Sequence, residues 1–184
     1  ITALNTAQVA ALTSAQLRSL GTAAIVALET NDLNALGTHQ VAALKIDQVA
    51  ALNTVQLSAL GDTQLTALST AQLGAIAPAD LAKLSTAQFA ALTQAQVAAL
   101  TTAQVAGMET ADFAALTVTQ VPKLSTAAIA ALTDPLITAF NTAQLQALQA
   151  NQLKALQTAN LAAMETSDLN ALSPTQFGAF TTDQ

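Results

Sequence analysis

An all-α solenoid of short helices is what this sequence predicts. Three observations predict it: an unbroken eight-residue period, a helix-capping signature at the start of each period, and acids and bases sorted to opposite ends of it. The 184 residues make 23 lengths of eight with no insertion or deletion. Ser85 to Leu92, S-T-A-Q-F-A-A-L, shows one octad in full, and its places are numbered 1 to 8 from Ser85. Place 8 is always apolar and place 5 is always Val, Leu, Ile or Phe. Place 7 is Ala in 19 of 23 octads, which marks it as a close contact; Gln holds place 4 in 15 of 23 and Thr holds place 2 in 14 of 23. Places 5 and 8 are therefore the expected core, and the variable places 1 and 6 the expected solvent face.

The period itself excludes a continuous helix. At ~100° per residue, eight residues overshoot two turns by about 80°, so an apolar stripe would spiral around the helix. Coiled coils want periods of seven or eleven. A β-solenoid is the alternative, because eight is even. In a strand, however, places 5 and 8 would point to opposite faces, and Ala and Gln are poor strand formers. One two-turn helix of about seven residues per octad, bent at each junction, satisfies the pattern.

The local chemistry agrees. Ser or Thr at place 1 with Gln at place 4 reads as a capping box. Gly21, Gly37 and Gly61 fall at place 1, where a residue after a helix can take positive φ. Pro78 and Pro174 fall at place 2, the first helical position, where a missing N–H costs least. All 11 acids lie in places 1 to 4, and Arg18, Lys83, Lys123 and Lys154 lie in places 6 and 7, the order that the helix dipole favours. Such a helix is too short to stand alone, so stacked coils must support it around a narrow core, with three or four octads per superhelical turn. Local distortions are expected at Pro122, at Lys45–Ile46, and at Asp134–Pro135, where the helix should start one residue late. No linker divides residues 1–184, which read as one uninterrupted array. The array has no divergent polar end octads, so a segment of a longer array is expected.

Composition narrows the function. Charged residues are 9% and the net charge is −6, which disfavours nucleic acid as a partner. Thr and Gln interrupt every apolar stretch, so no membrane span is expected. There is no Cys, and His39 is the sole His, placed at the surface. No catalytic, cofactor or metal residue is assigned. The pairs Glu29/Asp32, Glu109/Asp112 and Glu165/Asp168 put two carboxylates at one helix start. Dipole compensation accounts for them, with a divalent-cation site as the sharper alternative.

The hydroxyl row is the main functional lead. Thr6, Thr22, Thr30, Thr38, Thr54, Thr70, Thr86, Thr102, Thr110, Thr126, Thr142, Thr158, Thr166 and Thr182 occupy place 2 and are candidate O-glycosylation sites. N-capping is the plain explanation of the row, and an ice-binding face is a third reading. The Gln row serves either the capping box or side-chain ladders between stacked coils.

T-Q-A-Q-V-A-A-L at Thr93 to Leu100, continued by T-T-A-Q-V-A-G from Thr101, resembles repeats of very large bacterial surface and adhesin-like proteins. That resemblance covers the whole chain. It implies an extracellular or cell-surface location and a non-enzymatic fibre, filament or stalk, joined end to end and open to covalent O-glycans. The alternative is a binding module whose Thr/Gln face meets glycan, ice or a protein partner. S-P-T-Q-F-G-A-F at Ser173 to Phe180 looks like the start of a transcription-activator-like effector repeat, but the period is too short and the charge is not basic.

Overall fold

The computed structural model describes residues 3–184. Among them lie 21 α-helices of four to six residues and one 3-10 helix, with no strand, so the β-solenoid alternative is excluded. Each octad supplies one helix. In the reference octad, Ser85 is the N-cap (φ −74°, ψ 158°), Thr86–Ala91 is helical, and Leu92 leaves with ψ 138°. The Leu92 N–H closes the helix by donating to the Phe89 carbonyl at 3.2 Å.

The helices are shorter than the seven residues expected, because the last residue of the octad is not helical. Its ψ swings to the extended range, as at Leu20 (141°) and Leu60 (131°). Two extended residues, places 8 and 1, then turn the chain into the next helix. Both carry negative φ, and no described residue has positive φ. The expectation for the glycines therefore needs correction. Gly21, Gly37 and Gly61 are N-caps with φ near −70°, a position that Gly tolerates well.

The expected irregularities are also redistributed. Pro122 has no N–H to give its helix, and its octad shrinks to the 3-10 turn Val121–Lys123. Lys45–Ile46 is regular, since Ile46–Ala50 starts in register behind Lys45 at φ −74°, ψ 160°. Asp134–Ile137 also starts on time, with Thr133 as N-cap and Pro135 in the first turn, where a lost N–H has no helical partner to miss.

The chain forms two compact units, Ile1–Leu92 and Thr93–Gln184, divided between a place 8 and a place 1. Within each, a helix stacks on the one three octads before it. Thr38–Ala42 meets Asp62–Ala67 in the first, and Thr126–Ala130 meets Ala150–Ala155 in the second. Hydrogen bonds between coils reach back 28 residues, into the fourth octad before. A turn therefore takes between three and four octads. Place 5 is wholly buried at Val49, Leu57, Leu65, Leu73 and Phe89, and place 8 is nearly so. Place 4 is buried as well, at Gln48, Gln56, Gln64 and Gln72, which the pattern of apolar residues alone did not announce.

Candidate functional site

The most regular chemical feature is the place-4 glutamine, and each of its two polar atoms has a fixed task. Its Oε1 accepts the N–H of place 1 in its own octad, as in Asn53 to Gln56 (3.1 Å) and Ser85 to Gln88 (2.8 Å). This half of the capping box does not need a hydroxyl at place 1. It forms equally from Gly37 to Gln40 (2.6 Å), Lys45 to Gln48 (2.7 Å) and Gly61 to Gln64 (3.0 Å).

The Nε2 points the other way and donates to main-chain carbonyls of the preceding coil. Gln56 reaches Ile25 (3.1 Å), Val26 (3.1 Å) and Leu28 (2.9 Å). Gln64 reaches Leu33 at 2.8 Å and Leu36 at 2.7 Å. In the second unit Gln144 reaches Ala114 at 3.0 Å and Leu116 at 2.6 Å. The acceptors are carbonyls at places 5, 6 and 8 of the helix end; place 5 also accepts the place-8 N–H of its own octad, as Ile25 does from Leu28, and the place-8 carbonyl has the glutamine as its donor. One side chain thus caps the start of its own helix and the end of another. The expected ladder of glutamines bonded to one another is replaced by a stitch from amide to backbone. The signal for it was present in the sequence: Gln40, Gln48 and Gln64 persist where place 1 offers no capping side chain.

Asp at place 4 is one carbon shorter and carries no donor. Asp32 instead accepts the Thr6 hydroxyl at 2.9 Å, and Asp80 accepts that of Thr54, each from 26 residues before. Glu29 caps its helix with backbone only. Thus Glu29/Asp32 is divided between an exposed acid and a buried, hydroxyl-bonded one. No group of three or more His, Cys, Asp or Glu able to hold a metal occurs among the described residues, and His39 is exposed.

The hydroxyl row separates into two classes. Place 1 performs the capping: Thr13, Ser69, Ser85, Thr93 and Thr101 accept from the N–H three residues on. The place-2 threonines sit one step inside the helix, where the N-cap role is already filled. Of the 14 candidates, Thr30 and Thr54 are half-buried and the other twelve are exposed. Apart from Thr6 and Thr54, their hydroxyls make no hydrogen bond to described residues. Capping therefore explains place 1 and does not explain place 2.

Equivalent open grooves recur in the first unit where a place 8–1–2 junction lies beside the octad 24 residues on. One, of about 580 Å³, lies between Leu28–Thr30 and Asn53–Gln56. Another, of about 460 Å³, lies between Leu36–Thr38 and Gly61–Gln64. Threonine lines both, with Glu29, Asn53 and Gln56 in the first and Asn34 and Gln64 in the second, a surface suited to hydrogen bonding and without a convergent acid–base pair.

A family model described as the ALTTAQ repeat matches residues 14–46, 25–61, 73–109, 105–140 and 161–184, which is most of the chain. No curated protein matches it. No described helix is long and apolar enough to cross a membrane.

Proposed function

This chain belongs to the ALTTAQ repeat family, and from that membership and the stitched coil we propose a non-enzymatic mechanical role. The array serves as a strut of an extracellular, bacterial cell-surface fibre, filament or adhesin stalk. The observation that carries this reading is the glutamine stitch. Each coil offers its successor a row of carbonyls, and each successor supplies matching amides, so length grows without redesign of any coil. The same rule suits end-to-end joining of copies. Electron microscopy and sedimentation of the purified chain over a range of concentration test it. Elongated particles that join end to end are expected, and compact monomers at every concentration would reject the fibre.

The free place-2 hydroxyls favour a second reading, in which the flank of the strut carries O-glycans. The place-4 glutamines from Gln40 to Gln152 are buried and bonded, so along that stretch they cannot share in a binding face with the threonines. Intact-mass measurement of protein from its native source tests this. A mass excess in sugar increments, mapped to Thr38, Thr70 or Thr86 and absent from Thr54, is expected; an unmodified mass would end the idea.

A further inference from the structure

We propose that the contact between residues 97–108 and 125–140, where two successive octads lack the stitch, is a built-in opening point of the second unit. The inference rests on the fold and stands apart from the cellular role proposed above.

The stitch defines the rule that this contact breaks. In the second unit Gln144 and Gln152 bind carbonyls 28 to 31 residues before them, Gln176 and Gln184 do the same, and Asn160 reaches Leu132 at 3.2 Å. Asp168 breaks the row singly, leaving the Phe140 carbonyl without a donor, but the break before Gln144 spans two successive octads, whose place-4 residues are Ala128 and Leu136. Neither side chain can donate a hydrogen bond. The helices involved are nonetheless stacked: Thr126–Ala130 lies on Thr102–Ala106, and Asp134–Ile137 on Thr110–Ala114. The carbonyls that should be stitched are those of Leu100 and Met108, in residues 4% and 6% exposed. No donor from the protein reaches either one among the described residues. A buried carbonyl without a partner weakens the closed state relative to an open one in which water binds it.

The neighbouring octad adds a second defect. Thr117–Leu124 contains Pro122 and retains only a three-residue 3-10 turn. The entry into the unstitched pair thus carries a shortened helix, although Gln152 still bonds its Val121 and Leu124 carbonyls.

The opposite face of the pair is well bonded. Asn160 donates to Leu132 and to the Asp134 carboxylate, and Gln157 donates to Ala130 at 2.7 Å. Residues 130–134 therefore hold to the coil after them, while 125–140 lack side-chain bonds to the coil before. The gap should open on the 97–108 side and uncover Ile129 and Leu136.

Hydrogen exchange read by mass spectrometry on the whole chain tests this. Amides of 126–139 should exchange about tenfold faster, relative to intrinsic rates, than those of 142–155, because exchange reports local opening. Ala128→Gln supplies the missing amide and should slow 126–139 towards its neighbours. Gln144→Ala should create a second fast segment. Equal or slower exchange in unmodified 126–139 would overturn the proposal, and so would fast exchange that Ala128→Gln, correctly folded, leaves unchanged. Should that variant not fold, the comparison within the unmodified chain decides the matter alone.

Discussion

At the scale of the residue, the fold depends on a side chain with an acceptor and a donor at the end of a stem of fixed length. Glutamine meets that demand. Glutamate keeps the acceptors and loses the donor; lysine keeps donors and loses the acceptor. Asparagine has both and is shorter: Asn160 makes its bonds at 3.2–3.3 Å, where Gln144 reaches Leu116 at 2.6 Å. Removing Gln56 should therefore cost more than an average surface change. Gln56→Leu deletes the cap on Asn53 and leaves the Leu28 carbonyl buried without a donor, a loss of about 2–4 kcal/mol read as a lower urea midpoint. Gln56→Glu keeps the size and sets a carboxylate against three carbonyls. Burial and that repulsion raise the folded-state pKa of the new carboxyl above its unfolded value of ~4.3. The penalty is then small below about pH 4, where the protonated acid can still donate, and grows as pH rises through the folded pKa. Urea midpoints at acid and neutral pH check the sign: a Glu variant no weaker at neutral pH than at acid pH would contradict the stitch.

At the scale of the element, helix length is set by the exit and not by propensity. Ala-rich octads could continue as helix, but place 8 must turn its apolar side chain into the core, and an extended ψ does so at the cost of one helical residue. The capping box, the proline positions and the charge order were legible because they are local chemistry. The short exit was not, since it is imposed by the coil that the leucine enters. For the same reason Gly61 looked like a residue after a helix when it is the first cap of the next. It is a cap without a side chain, and a Cβ there would meet only Gln64 Oε1 at 3.8 Å. Gly61→Asn should let the side chain bond the N–H of Gln64, as Asn53 does for Gln56 at 3.0 Å, and should also restrict the unfolded chain. A gain of about 0.5–1 kcal/mol is expected. Gly37→Asn should gain less, because a Cβ there falls 3.0 Å from the His39 ring. Thermal melts of the two variants, side by side, rank them.

At the scale of the whole molecule, stability depends on residues about thirty places apart, and this separates what the sequence reveals from what it conceals. The all-α solenoid with places 5 and 8 inside followed from period and caps. The burial of place 4 did not: the persistence of Gln40, Gln48 and Gln64 signals a second task, but not which carbonyls the amide meets, because those belong to the fourth octad before. The turn of three to four octads was likewise a matter of how helices cross, which no single octad contains. This range of interaction predicts a sharp threshold in length. In the fragment 37–68 the helices Thr38–Ala42 and Asp62–Ala67 can still meet, but Gln64 finds none of its acceptors, since Leu33 and Leu36 lie outside. Every cross-coil stitch is then absent, and helices of this length are marginal alone. The fragment 37–92 restores two stitches, Gln72 to Leu44 at 2.6 Å and Gln88 to Leu60 at 2.8 Å. Far-UV ellipticity per residue should therefore be close to that of coil for 37–68 and rise severalfold for 37–92, where simple proportionality would leave it unchanged. Equal ellipticity per residue in the two fragments would mean that each octad carries its own stability, and the coil-to-coil stitch would lose its central place.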